Sequence, residues 1–154
     1  MRIATLFLLG AGAVAAVGAV PVYRVATAPE PEVRSPQNEQ HVGLPGDPLC
    51  AEDRPCSEIR AKGWVPPDRF AFFVVGPVNA APTMWVQPKI PRVSADGTFS
   101  GLVHLGEPHN GKGEWFKIYV LACSTADALY DGQQITDIPD GCEPSDPVDV
   151  YRER

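Results

Sequence analysis

The sequence predicts a mainly β protein, an antiparallel sandwich with one short helix, set behind an apolar N-terminal helix and a disordered linker. Three observations predict it. Seventeen prolines and 14 glycines in 154 residues leave no room for a long helix after residue 22, because proline removes an amide donor and clashes with the preceding turn. Four runs between residues 64 and 123 have the period of two, or the unbroken apolar character, of strands, with Gly- and Pro-containing turns between them. Four cysteines, an even set in a small chain led by an apolar span, predict disulfides and hence a body outside the cytoplasm.

In chain order, residues 3–22, IATLFLLGAGAVAAVGAVPV, carry no charge over about the twenty residues that cross a bilayer as a helix. They predict either an uncleaved single-pass anchor or a cleaved signal, the latter with Ala26-Thr27-Ala28 as the clearest cleavage triplet although Pro29 hinders it. Arg2 and Arg24 flank the span almost evenly, so its orientation rests on the cysteines, and none of these stands at its end to accept a lipid. Residues 25–47 repeat Pro and Glu with almost no large apolar side chain. That composition cannot offset the entropy of ordering and predicts an extended, mobile spacer. The division is therefore 1–24 anchor or signal, 25–47 linker and 48–154 folded domain.

Cys50 and Cys56 enclose five mostly polar residues, which suits a local disulfide better than a zinc site lacking two further ligands at finger spacing. The chain turns strand-like at Trp64. Residues 69–78, RFAFFVVGPV, form an apolar run expected of a strand covered on both faces. Residues 83–90 alternate, with Thr83, Trp85, Gln87 and Lys89 opposed to Met84, Val86 and Ile90, and Pro88 places this strand at an edge or bulge. Residues 98–105 set Phe99, Val103 and Leu105 against Thr98, Ser100, Leu102 and His104, and residues 114–123 set Phe116, Ile118, Val120 and Ala122 against Trp115, Lys117, Tyr119 and Leu121. Ser124 followed by Asp127 opens a predicted helix of one or two turns that Gly132 ends, and VDVYRER is read as a short last strand. Four cysteines allow three connectivities; the local pairs Cys50–Cys56 and Cys123–Cys142 need the least displacement of the chain.

Acidic residues outnumber basic ones by 19 to 13 and all lie beyond Arg24. Without a basic stripe such a surface repels a phosphate backbone, which argues against nucleic acid. No cofactor motif stands in the chain. His104, Glu107, His109 and Glu114 are suitable metal ligands, but NGKG among them is the chemistry of a turn. Ser100 or Ser124 with His104 lacks the G-x-S-x-G context of a nucleophile. If residues 98–105 and 114–123 pair as a hairpin, Ser100, Leu102 and His104 share a face with Trp115, Lys117 and Tyr119. Trp85, Gln87 and Lys89 then extend it. Rings interleaved with hydrogen-bonding groups suit a sugar or a peptide, while the opposite reading has Trp85 and Trp115 buried in the sandwich.

The succession FAFFVVGPV, MWVQPKI, DGTFSGLVHLGE and GEWFKIYVLA, over about residues 64–124, resembles a group of bacterial extracytoplasmic domains of immunoglobulin-like β-sandwich form that follow a membrane segment. The resemblance rests on turn and core residues. It implies fold and a binding or interaction role, and carries over no catalytic residue. The expected function is a non-catalytic extracytoplasmic binding module, membrane-tethered through residues 3–22 or secreted, with a glycan or protein partner. The alternatives are a structural domain of an envelope assembly and a metal-assisted hydrolase built round His104 and His109.

Overall fold

A computed structural model describes residues 29–44, 46–51, 56–79, 82–90, 92–107 and 110–153. The predicted membrane segment lies outside these residues. Ten strands form among the described residues: β1 (Glu32–Ser35), β2 (Gln40–Val42), β3 (Glu58–Trp64), β4 (Phe70–Pro77), β5 (Met84–Val86), β6 (Thr98–His104), β7 (Glu114–Cys123), β8 (Gln134–Ile135), β9 (Cys142–Pro144) and β10 (Val148–Arg152). The smaller sheet has the order β1-β3-β6. The larger runs β2-β10-β7-β4-β5-β8, with β9 also paired to β7. Every pairing is antiparallel except that of β10 with β2.

The core lies between the sheets. Ile59, Ala61, Phe99, Val103 and Leu105 from the smaller sheet meet Phe73, Val75, Phe116, Ile118, Val120 and Val150 from the larger, so the inward faces predicted for residues 98–105 and 114–123 are the observed ones. Gly63 on β3 lets the sheets approach, because a Cβ there would stand 2.5 Å from Phe99 Cζ. A second apolar cluster covers the outer face of the larger sheet, where Leu129 and Ile135 pack on Phe72, Val74, Val86 and Leu121. This double covering accounts for the unbroken apolar run of β4. Both predicted disulfides, Cys50–Cys56 and Cys123–Cys142, are present.

Four expectations are corrected. Residues 98–123 do not form a hairpin: β6 pairs with β3 and β7 with β4 and β10. The connection between them crosses from one sheet to the other, tied by Leu105 N–H to Ser57 O at 2.8 Å and by Gly113 N–H to Arg152 O at 2.7 Å. The strand expected over 83–90 stops at Val86, because Pro88 has no amide to continue the ladder and Ile90 is drawn into the inter-sheet core. No helix forms among the described residues. At 124–132 an isolated turn or two would be marginal, and an irregular path buries Leu129 and returns Cys142 to face Cys123. Finally, within the stretch expected to be a spacer, β1 and β2 are built into the two sheets, bringing Val33 and Val42 onto the core; backbone pairing with β3 and β10 offsets an ordering cost that the segment's own side chains do not.

Candidate functional site

At the flank where β5 and β6 diverge, a groove of about 640 Å³ opens between the sheets. Its floor is apolar. Val75 and Pro77 come from β4, Phe116 from β7 and Val86 from β5, and Val75, Val86 and Phe116 are buried. Trp85 stands beside them, on the opposite side of β5 from Met84 and Val86 as strand alternation requires, and is 41% exposed.

Two polar side chains hold the walls. Gln87, 4% exposed, donates from Nε2 to the Trp85 carbonyl at 3.0 Å and accepts at Oε1 from the His104 N–H at 2.7 Å. It thus ties the end of β5 to the end of β6, one sheet to the other. Arg152, 1% exposed, reaches from β10 behind the opposite wall, its Nη1 2.7 Å from the carbonyl oxygens of Leu105, Glu107 and Asn110. Burial pushes its pKa down, and Glu114 pulls it back up. Gly111 is required in this wall: its φ is 85°, and a Cβ would lie 2.9 Å from Phe116 Cζ.

The rim is acidic. Glu107, Glu114 and Asp131 line the groove and are exposed, and no salt bridge joins any of them to a lysine or arginine among the described residues. His104 completes the rim with Nε2 3.3 Å from a Glu58 carboxylate oxygen.

Of the seven residues expected on one binding face, Trp85, Gln87 and His104 meet here and the other four do not. Lys89 belongs to a smaller hollow with Arg60 and Lys62 on the three-stranded sheet. Trp115 and Lys117 lie on the outer face of the larger sheet, because β6 and β7 belong to different sheets. There the Trp115 ring packs at a tilt against Tyr151, with centroids 5.2 Å apart, and Tyr151 likewise against His41 at 4.8 Å. His41 Nδ1 is 2.6 Å from a Glu153 oxygen. Lys117 donates to Asp149 at 2.9 Å, and that hydrogen bond raises its pKa. Tyr119 packs against the second apolar cluster, beneath the tail.

Among the described residues no three His, Cys, Asp or Glu side chains come together as metal ligands; Glu107 instead accepts from Asn110 Nδ2 at 3.1 Å, and His109 lies outside the described residues. Ser100 and His104 are four residues apart on β6, roughly 13 Å along an extended strand, too far for a nucleophile and its base. Asn110, Asp131 and Pro77 also line the groove and carry no mark of it in the sequence. Only the crossing of the loop between the sheets and the return of the tail bring them together, and neither leaves a local signal. No protein-family model matches the chain, and no curated protein or solved structure matches it.

Proposed function

We propose that this chain is an extracytoplasmic binding module of immunoglobulin-like sandwich form, held at a membrane by residues 3–22 or released by cleavage after them, and that it binds a glycan or a peptide in the groove beside Trp85 without chemistry of its own. The groove carries the reading. A concave, apolar-floored site of about 640 Å³, within the size range of sites that enclose small ligands, presents a large ring that has not been used to fill the core. The two disulfides support a location where thiols are not kept reduced.

The test is a glycan array and a peptide library probed with the native domain and with Trp85→Ala and Trp115→Ala. Ligands that Trp85→Ala loses and Trp115→Ala keeps support the groove. Ligands indifferent to Trp85 refute it. Protease accessibility of the domain in intact cells, compared with lysed cells, checks the location; a domain protected in intact cells and recovered with the cytoplasmic fraction counts against it.

A further inference from the structure

We infer that the occupant of the groove is a peptide segment that presents a lysine or arginine beside an apolar side chain, an inference that rests on the binding-module reading above. The groove asks two things of a ligand at once. Its floor of Val75, Pro77, Val86 and Phe116 and the exposed Trp85 ring reward apolar surface. Its rim of Glu107, Glu114 and Asp131 rewards positive charge and repels negative charge.

The nearby cations leave part of this rim's charge open: Arg152 acts on Glu114 from behind the wall, and among the described residues no salt bridge reaches Glu107 or Asp131. Arg152 lies behind the wall with Nη1 shared among three carbonyls, Lys112 at the loop tip is exposed and does not line the groove, and His104 faces Glu58. The Trp85 face adds to the preference, since an aromatic quadrupole attracts an ammonium or guanidinium group lying over it. A neutral saccharide would stack on the same ring and could donate hydroxyl hydrogen bonds to the carboxylates, but it would leave their charge unmatched, and an acidic one would be repelled. An extended peptide alternates its side chains, so one residue reaches the rim while its neighbours rest on the floor and on Trp85. Complementary charge of this kind governs which partner is accepted and how its binding responds to salt.

The experiment uses three capped pentapeptides, Ala-Leu-X-Leu-Ala with X lysine, glutamine or glutamate, and neutral chitotriose. Each is titrated calorimetrically into the disulfide-bonded domain, into Trp85→Ala and into the double variant Glu114→Gln/Asp131→Asn, at low and at raised ionic strength. The lysine peptide is expected to bind at least about tenfold tighter than the glutamine peptide, as a matched charge requires, with the glutamate peptide weakest. The preference should shrink towards unity in the double variant and in high salt. Lysine and glutamine peptides that bind equally, both through Trp85, overturn the inference and leave the groove reading standing; so does Trp85-dependent binding of chitotriose alone. Binding of none of the four probes, or binding unaffected by Trp85→Ala, overturns both. Thermal melts of the two variants confirm that they remain folded, which their exposed positions lead one to expect.

Discussion

Replacing Arg152 tests the joint that holds one wall of the groove. Its Nη1 contacts three carbonyls, but of those residues only Leu105 is buried, while Glu107 and Asn110 are exposed. When the guanidinium is removed, water reaches the two exposed residues more easily than the first. A hydrogen bond from a charged donor contributes about 1.5–3 kcal/mol, and a buried acceptor left unpaired costs about 1–3 kcal/mol. The full cost therefore falls mainly at Leu105. Against it stands relief from burying a cation, the same desolvation that lowers the Arg152 pKa. On balance Arg152→Met, which keeps most of the alkyl contact, should cost about 2–3 kcal/mol. Arg152→Lys should cost less, since an ammonium has three donors for the same carbonyls. Urea melts at neutral pH give the free energies, and hydrogen exchange at Asn110, whose amide bonds to Glu107 O, reports on the loop. A methionine variant within about 0.5 kcal/mol of the native protein, the ordinary range for surface changes, with unaltered exchange would refute the reasoning.

Phe116→Ala should destabilise the domain by about 3–5 kcal/mol, the range for a buried aromatic, and Trp115→Ala by about 1–2 kcal/mol from its lost ring contacts; paired urea melts check this, and the reverse order would contradict the placement of the core. Removing the Cys123–Cys142 bridge, whose cysteines are 19 residues apart, as the double alanine variant should cost about 3 kcal/mol in the chain-entropy model. It should also raise dye binding as the tail loosens from Phe72 and Leu121; an unchanged midpoint would mean that the tail stays seated without it. The Asp96 carboxylate accepts from the Thr98 hydroxyl at 2.7 Å and the Thr98 amide at 3.0 Å, which in that order hold its pKa below the ordinary 3.8. A depressed folded-state value contributes stability above the unfolded pKa that is lost as pH falls through the folded one. Asp96→Asn should therefore show a smaller loss than the native protein between neutral pH and pH below 3.8, and identical acid limbs in the two melts would rule this out.

What could be read in advance follows from where the physical signal is local. Phe99, Val103, Leu105, Phe116, Ile118 and Val120 alternate with polar residues, and the alternation names the inward face without any knowledge of the partner strand. The cysteine pairs are close in sequence, 6 and 19 residues apart, and are legible for the same reason. β3 escaped because two of its inward residues are Ala61 and Gly63, small where Phe99 fills the space, so its outward Arg60 and Lys62 dominate its appearance. β1 and β2 escaped because their ordering comes from backbone bonds to strands elsewhere in the chain. At the groove, the orientation of Trp85 against Val86 was legible from parity. The roles of Gln87 and Arg152 were not, since each depends on which carbonyl or amide a separate element brings within reach. The hairpin reading failed because alternation reports the face of a strand but not its neighbour.

The latest of the described strands in sequence stands one place in from an edge of the larger sheet. β10 is flanked by β7 on one side and by β2, one of the earliest strands, on the other, and the side-chain contact of His41 with Glu153 spans 112 residues of sequence. Until β10 emerges during synthesis, β2 has no hydrogen-bonding partner in the sheet and β7 keeps an open edge along Glu114–Ile118. Pairings this distant in sequence are slow to find because loop closure must come before any reward. Within the described residues the docking of β2 onto the larger sheet therefore waits on β10, while β1-β3-β6 and β7-β4-β5-β8 can pair without it.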